Sequence, residues 1–245
     1  MNRDPPPTNP FSTRFIRPDA NEFLFPSEAA VDSGESIHDL VRRITTANFN
    51  LIVGDHGTGK STLLATLLPD LQVHYRRVAS VLLHAPDQSA DRHSWAGSGS
   101  IASSVSTTPG RPSVYAKLRN VAKCWHSIHS LAKVLPPGGL LVVDGLEQLD
   151  VLSRQWLLLH ALRRKLSVLA TSHVEVRGFT VVYRSSVSAD LVTRLANRLL
   201  AGGPPDVDAA VRRELQSGRL DAVSSVRDLW FELYDLVAEL HTQKQ

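Results

Sequence analysis

Residues 54–61 of the chain read Gly54-Asp55-His56-Gly57-Thr58-Gly59-Lys60-Ser61, which matches the pattern G-x-x-x-x-G-K-[ST] at every fixed position. An apolar run, Leu51-Ile52-Val53, precedes this stretch, and residues 61–68 favour a helix. Glycines allow successive backbone N–H groups to point at one anion, and the helix N-terminus adds the positive end of its dipole. The stretch therefore predicts a phosphate-binding loop (P-loop, or Walker A motif), in which these eight residues and Thr62 bind a nucleotide.

Two residues of the loop have separate predicted roles. Lys60 is expected to reach the β- and γ-phosphates, and the Ser61 hydroxyl is expected to ligate Mg²⁺. The alternative is a glycine turn followed by an accidental Lys-Ser pair, which the strand, turn and helix context disfavours. We expect a chain that binds a nucleoside triphosphate with Mg²⁺, or that descends from one that did.

Composition limits the function classes. The 245 residues are 42% hydrophobic and 21% charged, which suits one α/β domain with a small helical appendage. The net charge of +3 and the pI of about 9.2 permit nucleic-acid contact without indicating it. Cys124 is the single cysteine, so no internal disulfide is expected. There is no apolar run of membrane-spanning length, and the first five residues do not fit a signal peptide. These features predict a soluble cytoplasmic protein.

The chain falls into three predicted regions. Residues 1–26 hold six of the fourteen prolines and several phenylalanines, so they predict an irregular arm lying against the core. Residues 27–203 alternate strand and helix patterns, which predicts a parallel sheet of about five strands sandwiched by helices. Within them, residues 86–112 form a Ser/Gly-rich insertion, read either as a flexible surface loop or as a lid. Residues 204–245 predict a helical extension.

Several elements follow from local patterns. Residues 71–83 favour strands, first around Val73 and Tyr75 and then from Val78. Residues 114–134 predict a long helix. Another helix follows residue 150, and Ser188 is a suitable N-cap for a later one. The residues on one apolar face of the helix after residue 150 are Leu152, Trp156, Leu159 and Leu162.

A second half of the site is predicted at a buried strand that ends in a carboxylate. Four apolar residues lead to Asp144, which is expected to hold magnesium, usually through a water. Glu147 is placed to polarise an attacking water. The alternatives are a strand-end turn residue for Asp144 and a dipole-favoured helix start for Glu147.

The two motifs together resemble the P-loop NTPase division in which an additional strand separates the P-loop from the metal-binding strand (ASCE). Asp144-Gly145-Leu146-Glu147 is similar to the metal-binding (Walker B) motif of STAND and related AAA-like ATPases. The resemblance implies phosphate binding by Lys60, magnesium binding by Ser61 and Asp144, and water activation by Glu147. It also implies a γ-phosphate sensor at the next strand end, where Thr171, Ser172 and His173 lie. An ordinary polar strand end is the alternative.

Rapid hydrolysis also needs an arginine that stabilises the negative charge of the transition state. Among the arginines near the relevant strand ends, Arg184 is the preferred candidate. No motif determines which nucleobase is bound. ATP is favoured because proteins of this division generally use it, and GTP is not excluded. The leading hypothesis is a Mg²⁺-dependent ATPase that acts as a switch on a protein partner. The alternatives are a binding module with little turnover, or a small-molecule kinase, which the scarcity of arginine in the insertion (Arg92 and Arg111) disfavours.

The last helix carries a broad apolar stripe, which is read either as a buried tail helix or as a docking surface for a partner or a second copy. Phe15, Phe23 or Phe25 of the arm could stack on adenine, although core packing is the favoured reading. The residues of the stripe are Val226, Leu229, Trp230, Leu233, Leu236, Val237 and Leu240, widened by Phe231 and Tyr234.

Overall fold

The computed structural model describes residues 9–12, 23–25, 36–83, 114–216 and 225–242. The chain divides into two compact units. The sheet unit comprises Ile37–Gly54 and Leu67–Arg184, and the loop-and-helix unit comprises Met1–Ser36, Asp55–Thr66 and Ser185–Gln245.

Three sequence predictions concern residues outside the described part of the chain. They are the insertion at 86–112, its two arginines Arg92 and Arg111, and Phe15 of the arm. The domain boundaries predicted at residues 26 and 203 stay predictions.

Five strands form one parallel sheet in the order β2-β3-β4-β1-β5. Parallel registers join β1 to β4, β4 to β3, and β3 to β2. Strand β4 therefore separates the strand that enters the P-loop from the strand that ends at Asp144. The predicted α/β fold is confirmed. The strands are β1 Phe49–Gly54, β2 Val78–Leu82, β3 Leu140–Asp144, β4 Ser167–Ser172 and β5 Thr180–Ser185.

Helices connect and flank the strands. Helix α3 has the bounds that the sequence predicts, and none of the described helices is long and apolar enough to cross a membrane. A 3-10 turn also follows β3 at Leu146–Gln148. The α-helices are α1 Ile37–Thr46, α2 Lys60–His74, α3 Val114–Val134, α4 Val151–Arg164, α5 Ala189–Leu200, α6 Pro205–Gln216 and α7 Val226–Thr242.

Helix α2 continues past the point at which the sequence predicts it to end. Leu67 and Leu71 are one turn apart and fully buried, so the apolar face continues through Pro69. That burial outweighs the backbone hydrogen bond lost at Pro69. The strand predicted around Val73 and Tyr75 is therefore wrong. Val73 lies in the helix, and the Tyr75 N–H donates to the Leu71 carbonyl at its end.

One face of the sheet is covered by α3 and α4. Alternate residues of β1, β3 and β4 point to this face because side chains alternate along a strand. They pack against Cys124, Ile128 and Ala132 of α3 and against Leu157 and Ala161 of α4. The strand residues in this core are Leu51, Val53, Leu141, Val143, Val168 and Ala170.

Helix α4 turns a different face to the core from the one that its apolar pattern suggests. The predicted face is outward: Leu152 is 79% exposed, Leu159 45% and Leu162 55%. The buried residues are Leu157, Leu158 and Ala161. An apolar stripe usually marks the core side of a surface helix, but α4 is apolar nearly all round, so its pattern did not define one side.

The loop-and-helix unit has its own apolar core, built from α5, α6 and α7. Ser188 caps α5, since its side chain accepts from the Leu191 N–H, as predicted. Phe11 of the arm is buried against Trp230, with ring centroids 5.3 Å apart. The apolar stripe of α7 is buried at Leu229, Trp230, Leu233 and Val237, while Phe231 and Tyr234 remain exposed.

Candidate functional site

Two side chains of the P-loop contact a backbone carbonyl group of the same loop. Helix α2 begins at Lys60, whose ammonium nitrogen lies 2.6 Å from the carbonyl oxygen of Asp55. The Thr58 hydroxyl donates to the same oxygen at 2.9 Å. Lys60 is only 9% exposed, so its charge is held over the loop. A phosphate oxygen would be a stronger acceptor for this ammonium than a carbonyl oxygen.

Two further carbonyl groups of the loop are held by residues outside the motif. The Gly57 oxygen accepts from the N–H of Val226, the first residue of α7, at 3.2 Å. The Thr58 oxygen accepts from the hydroxyl of Ser185, at the end of β5. Fixing a carbonyl also fixes the N–H of the following residue, because the peptide unit is planar. Val226 and Ser185 therefore help to set the directions in which the backbone N–H groups of the loop point.

Gly57 is required where the loop meets α7. Its φ is +72°, in the left-handed region that favours glycine. A β-carbon at this position would lie 2.2 Å from the Oγ of Ser225. Both the backbone conformation and the close approach therefore exclude a side chain.

Part of the arm lies beside the P-loop helix. The Phe23 N–H donates to the Thr66 hydroxyl at 2.9 Å, and the Phe23 ring meets that of Phe25 edge-on. A β-carbon on Gly59 would be 3.3 Å from the Phe23 ring. Phe23 is 8% exposed, which fits the packing role better than stacking on a base. Adenine stacking stays a prediction.

In the sheet unit, Asp144 is oriented by the neighbouring strand. It is 7% exposed, and its Oδ1 accepts from the hydroxyl of Thr171 at 2.5 Å. The same hydroxyl accepts from the Gly145 N–H at 2.9 Å. Gly145 has φ +91°, and a β-carbon there would lie 2.9 Å from the Leu83 oxygen, so the turn after Asp144 needs glycine. The sequence predicted Thr171 as a sensor, and in the structure its hydroxyl holds the carboxylate.

Glu147 and His173 form a second pair at this edge of the sheet. Nε2 of His173 lies 3.2 Å from Oε1 of Glu147, and Nδ1 lies 3.2 Å from the carbonyl oxygen of Gly54. A carbonyl oxygen only accepts, so the Nδ1 N–H of His173 donates to the Gly54 oxygen. Oε2 of Glu147 is buried and has no hydrogen-bond partner among the residues that the structure describes. That oxygen suits a donor from outside the chain, such as a water.

The arginine predicted to supply charge is engaged elsewhere. Arg184 pairs with Glu175, and both side chains are largely exposed. Arg154 is the arginine seen next to Glu147, where its guanidinium donates to the backbone oxygen of Glu147 at 3.2 Å. Ser172 is fully buried, and its hydroxyl accepts from the Val174 N–H at 3.3 Å.

The sheet unit thus brings together Asp144, Glu147, Thr171 and His173 with Gly54, the first residue of the P-loop. Sequence reasoning missed Ser185, Ser225 and Val226, which set the loop's conformation in the other unit. They are ordinary polar or aliphatic residues far from the motif in sequence. Two signals could have suggested them. Ser185 lies at the end of a strand, and Ser225 and Val226 lie at the start of the last helix.

Each unit, taken by itself, offers one oxygen group of the kind that magnesium binds. Mg²⁺ prefers hard oxygen ligands and is usually held by one or two side chains together with substrate phosphates. Asp144 offers a buried carboxylate whose orientation is fixed by Thr171. Ser61, in the first turn of α2, offers a hydroxyl.

Comparisons with known proteins give likenesses of fold alone. No model of a protein family matches the chain, and neither does any curated protein. The Thermotoga maritima RuvB Holliday junction branch migration motor is similar over 87% of this chain and 70% of that one, with 10% identity and a TM-score of 0.44. C. elegans PCH-2 is similar over 78% of this chain and 51% of that one, with 15% identity and a TM-score of 0.39. At such values the likenesses assign neither a family nor an activity.

Proposed function

We propose that the chain is an ATP-binding P-loop protein of the additional-strand (ASCE) division, similar to STAND and AAA-like ATPases, which hydrolyses ATP with Mg²⁺ and acts as a switch on a protein partner. The observation that carries this proposal is the strand order. Strand β4 lies between β1 and β3, which is the arrangement expected of that division and supports the proposal. The proposal keeps ATP as the nucleotide, with GTP as the alternative base.

The proposed binding role belongs to residues 54–62. Lys60 exchanges the Asp55 oxygen for the β- and γ-phosphate oxygens, which are better partners for an ammonium group. The N-terminus of α2 adds the positive end of its dipole. Ser61 and Asp144 hold Mg²⁺, which when bound neutralises charge on the phosphates.

The proposed chemical step is in-line attack of water on the γ-phosphate. Glu147 orients that water through its buried Oε2, and His173 holds the other oxygen of the same carboxylate. Since His173 also contacts Gly54, it connects the water-orienting residue to the entrance of the P-loop. Thr171, Ser172 and His173 remain the proposed sensor segment, with Thr171 acting through Asp144.

A binding module with little turnover is the second candidate. It is favoured by the pairing of Arg184 with Glu175, which occupies the arginine proposed to stabilise the transition state. In that case nucleotide is retained and hydrolysis is slow until a partner or a second copy supplies an arginine. Transfer of phosphate to a metabolite would instead indicate the small-molecule kinase.

The test measures binding and turnover separately on the full chain. Calorimetry with ATP and Mg²⁺ should show binding that Lys60→Ala abolishes and that Lys133→Ala, a change at an exposed lysine, leaves intact. Phosphate release should fall about a hundredfold in Glu147→Gln with ATP affinity retained. Binding without phosphate release would select the second candidate. Absence of binding by both ATP and GTP would refute the proposal.

A further inference from the structure

Helices α3 and α4 have an unusual charge composition. Neither helix contains an aspartate or a glutamate, although the chain has 24 such residues. Among the residues whose side chains the structure describes, the exposed basic ones are Lys133 of α3 and Arg163 of α4, so both helices present positive charge to solvent at neutral pH.

The same two helices carry exposed aliphatic residues. The described chain exposes ten large apolar side chains, and four of them lie on α4. A fifth, Val134, ends α3 and is 59% exposed. Such a cluster is characteristic of an interaction site, whereas single exposed apolar residues are ordinary. The four on α4 are Val151, Leu152, Leu159 and Leu162.

Side-chain contacts join the two helices into one surface. Trp125 of α3 meets Trp156 of α4 with ring centroids 3.9 Å apart, and Trp156 stacks on His160 at 4.4 Å. At the other end, the Arg164 guanidinium donates to the carbonyl oxygens of Lys133 and Leu135 at 3.0 and 3.1 Å. We define the α3–α4 surface by the exposed residues of this pair, which are Lys133, Val134, Val151, Leu152, Leu159, Leu162 and Arg163.

We infer that the α3–α4 surface binds an acidic amphipathic helix of a partner protein. The leucines of α4 form the apolar seam, and the exposed Lys133 and Arg163 pair with acidic residues that flank the apolar stripe of the partner. The inference does not depend on ATP binding, because the surface uses none of the residues proposed to bind nucleotide.

The spacing of the leucines favours a helical partner. Leu152, Leu159 and Leu162 recur at intervals of seven and three, which places them on one side of α4 over about 15 Å. A linear seam of this length matches the apolar stripe of one amphipathic helix of about three turns. The absence of acidic residues from both helices then selects partners with negative charge, since like charges across an interface are costly.

Nucleic acid and membrane fit the surface less well. Single-stranded nucleic acid stacks on free aromatic faces, whereas Trp125 and Trp156 contact each other and the histidines. Interfacial membrane helices place tryptophan at the boundary with lipid, and here both tryptophans are half-buried. The most exposed residues are aliphatic, which gain nothing from phosphates and fit an apolar seam.

The experiment uses two synthetic amphipathic peptides of about 20 residues with leucine at every third or fourth position. One has glutamate at the remaining positions and the other has lysine. Fluorescence anisotropy with the full chain should show micromolar binding of the glutamate peptide and none of the lysine peptide. The double variant Leu152→Glu/Leu159→Glu should weaken binding at least tenfold. The control Val73→Glu, at an apolar residue 83% exposed on α2, should bind as the unaltered chain does.

Circular dichroism checks that both variants keep their fold, which is expected because all three residues are exposed. The inference is overturned if the two peptides bind equally, or if Leu152→Glu/Leu159→Glu binds the glutamate peptide normally. It is also overturned if the glutamate peptide does not bind, and binding of phosphatidylserine vesicles or a single-stranded oligonucleotide that is lost in the double variant would then identify the alternative ligand. Dimerisation that disappears in the double variant would assign the surface to a second copy instead.

Discussion

Thr171 and Asp144 are joined by a hydrogen bond of 2.5 Å in which the hydroxyl donates to the carboxylate. The bond links the ends of two adjacent strands, β4 and β3, and both residues are buried. A carboxylate that is held in this way would need no reorganisation to bind the proposed Mg²⁺. The candidate magnesium ligand is therefore positioned by a residue of β4.

Replacing Thr171 with valine should weaken magnesium binding. Valine has nearly the same shape but cannot donate to Asp144, so the carboxylate loses its orientation. We expect the Mg²⁺ concentration for half-maximal ATP binding to rise about tenfold. A Mg²⁺ titration with a fluorescent ATP analogue measures it. Thr171→Ser keeps the hydroxyl and should remain close to the unaltered chain; equal rises in both variants would contradict this role.

Replacing His173 with leucine should slow turnover more than it weakens binding. The change removes the contact with Oε1 of Glu147 and leaves that carboxylate less well oriented toward water. We expect kcat to fall at least about tenfold with KM within about twofold. Steady-state phosphate release gives both constants. His126→Leu, at an exposed histidine of α3, serves as the control. A rise in KM at constant kcat would instead make His173 a binding residue.

Gly57→Ala should reduce ATP affinity about tenfold. The positive φ alone costs about 1 kcal/mol, and the new β-carbon would collide with Ser225. The loop must shift, and its anion-binding geometry shifts with it. Calorimetry compares this variant with Gly57→Ala/Ser225→Gly, in which the collision is removed and the strained φ remains. The ATP affinity of the double variant should lie between that of Gly57→Ala and that of the unaltered chain. A double variant that binds ATP no better than Gly57→Ala would rule out the collision as a cause of the lost affinity.

The tryptophan–histidine cluster makes stability depend on pH. Burial lowers the pKa of both His129 and His160, and the next largest cause is the charge of Lys133 for His129 and that of His129 for His160. Their pKa in the unfolded chain is about 6.5. Between the lowered pKa and 6.5 the unfolded chain binds more protons, so the free energy of unfolding falls as pH falls through that window. Above pH 6.5 both histidines are neutral in the folded and the unfolded chain, so they add no pH dependence to stability.

Urea unfolding at pH 7.5 and 5.5 tests this dependence. The unaltered chain should lose stability at the lower pH, and His129→Gln/His160→Gln should lose less, since glutamine does not titrate. A loss of the same size in both proteins would show that other groups cause it.

Leu233→Ala should destabilise the loop-and-helix unit by about 2–5 kcal/mol, because Leu233 is fully buried in its core. Phe231→Ala, on the exposed side of the same helix, should cost much less. Urea unfolding followed by circular dichroism compares them. Equal effects would mean that α7 does not pack through the stripe that includes Leu233.

The sequence was most informative where chemistry imposes a local rule. Asp144 at the end of an apolar strand and Ser188 before a helix were found because a strand end and an N-cap each have a local signature. The strand predicted at Val73 was wrong because burial of Leu71 extended α2 through a proline. The apolar face of α4 that contains Leu152 lies outward, because apolar residues occur on several sides of α4 and their spacing does not say which side is covered.

Contacts between distant parts of the chain had no local signature. Thr171 was singled out by its position after a strand, but its bond to Asp144 depends on β4 lying next to β3. Ser185 and Ser225 were missed for the same reason: their roles arise from where the fold brings them.

The hydrogen bond from the Val226 N–H to the Gly57 carbonyl oxygen connects helix α7 to the P-loop. Any force or binding event that tilts α7 by an ångström or so must either break this bond or drag the loop with it. Conversely, a loop that adjusts around a triphosphate would pull on α7. Helix α7 can therefore transmit movement to the P-loop. Tethering a tag or a neighbouring protein to its far end would alter the release of the proposed nucleotide.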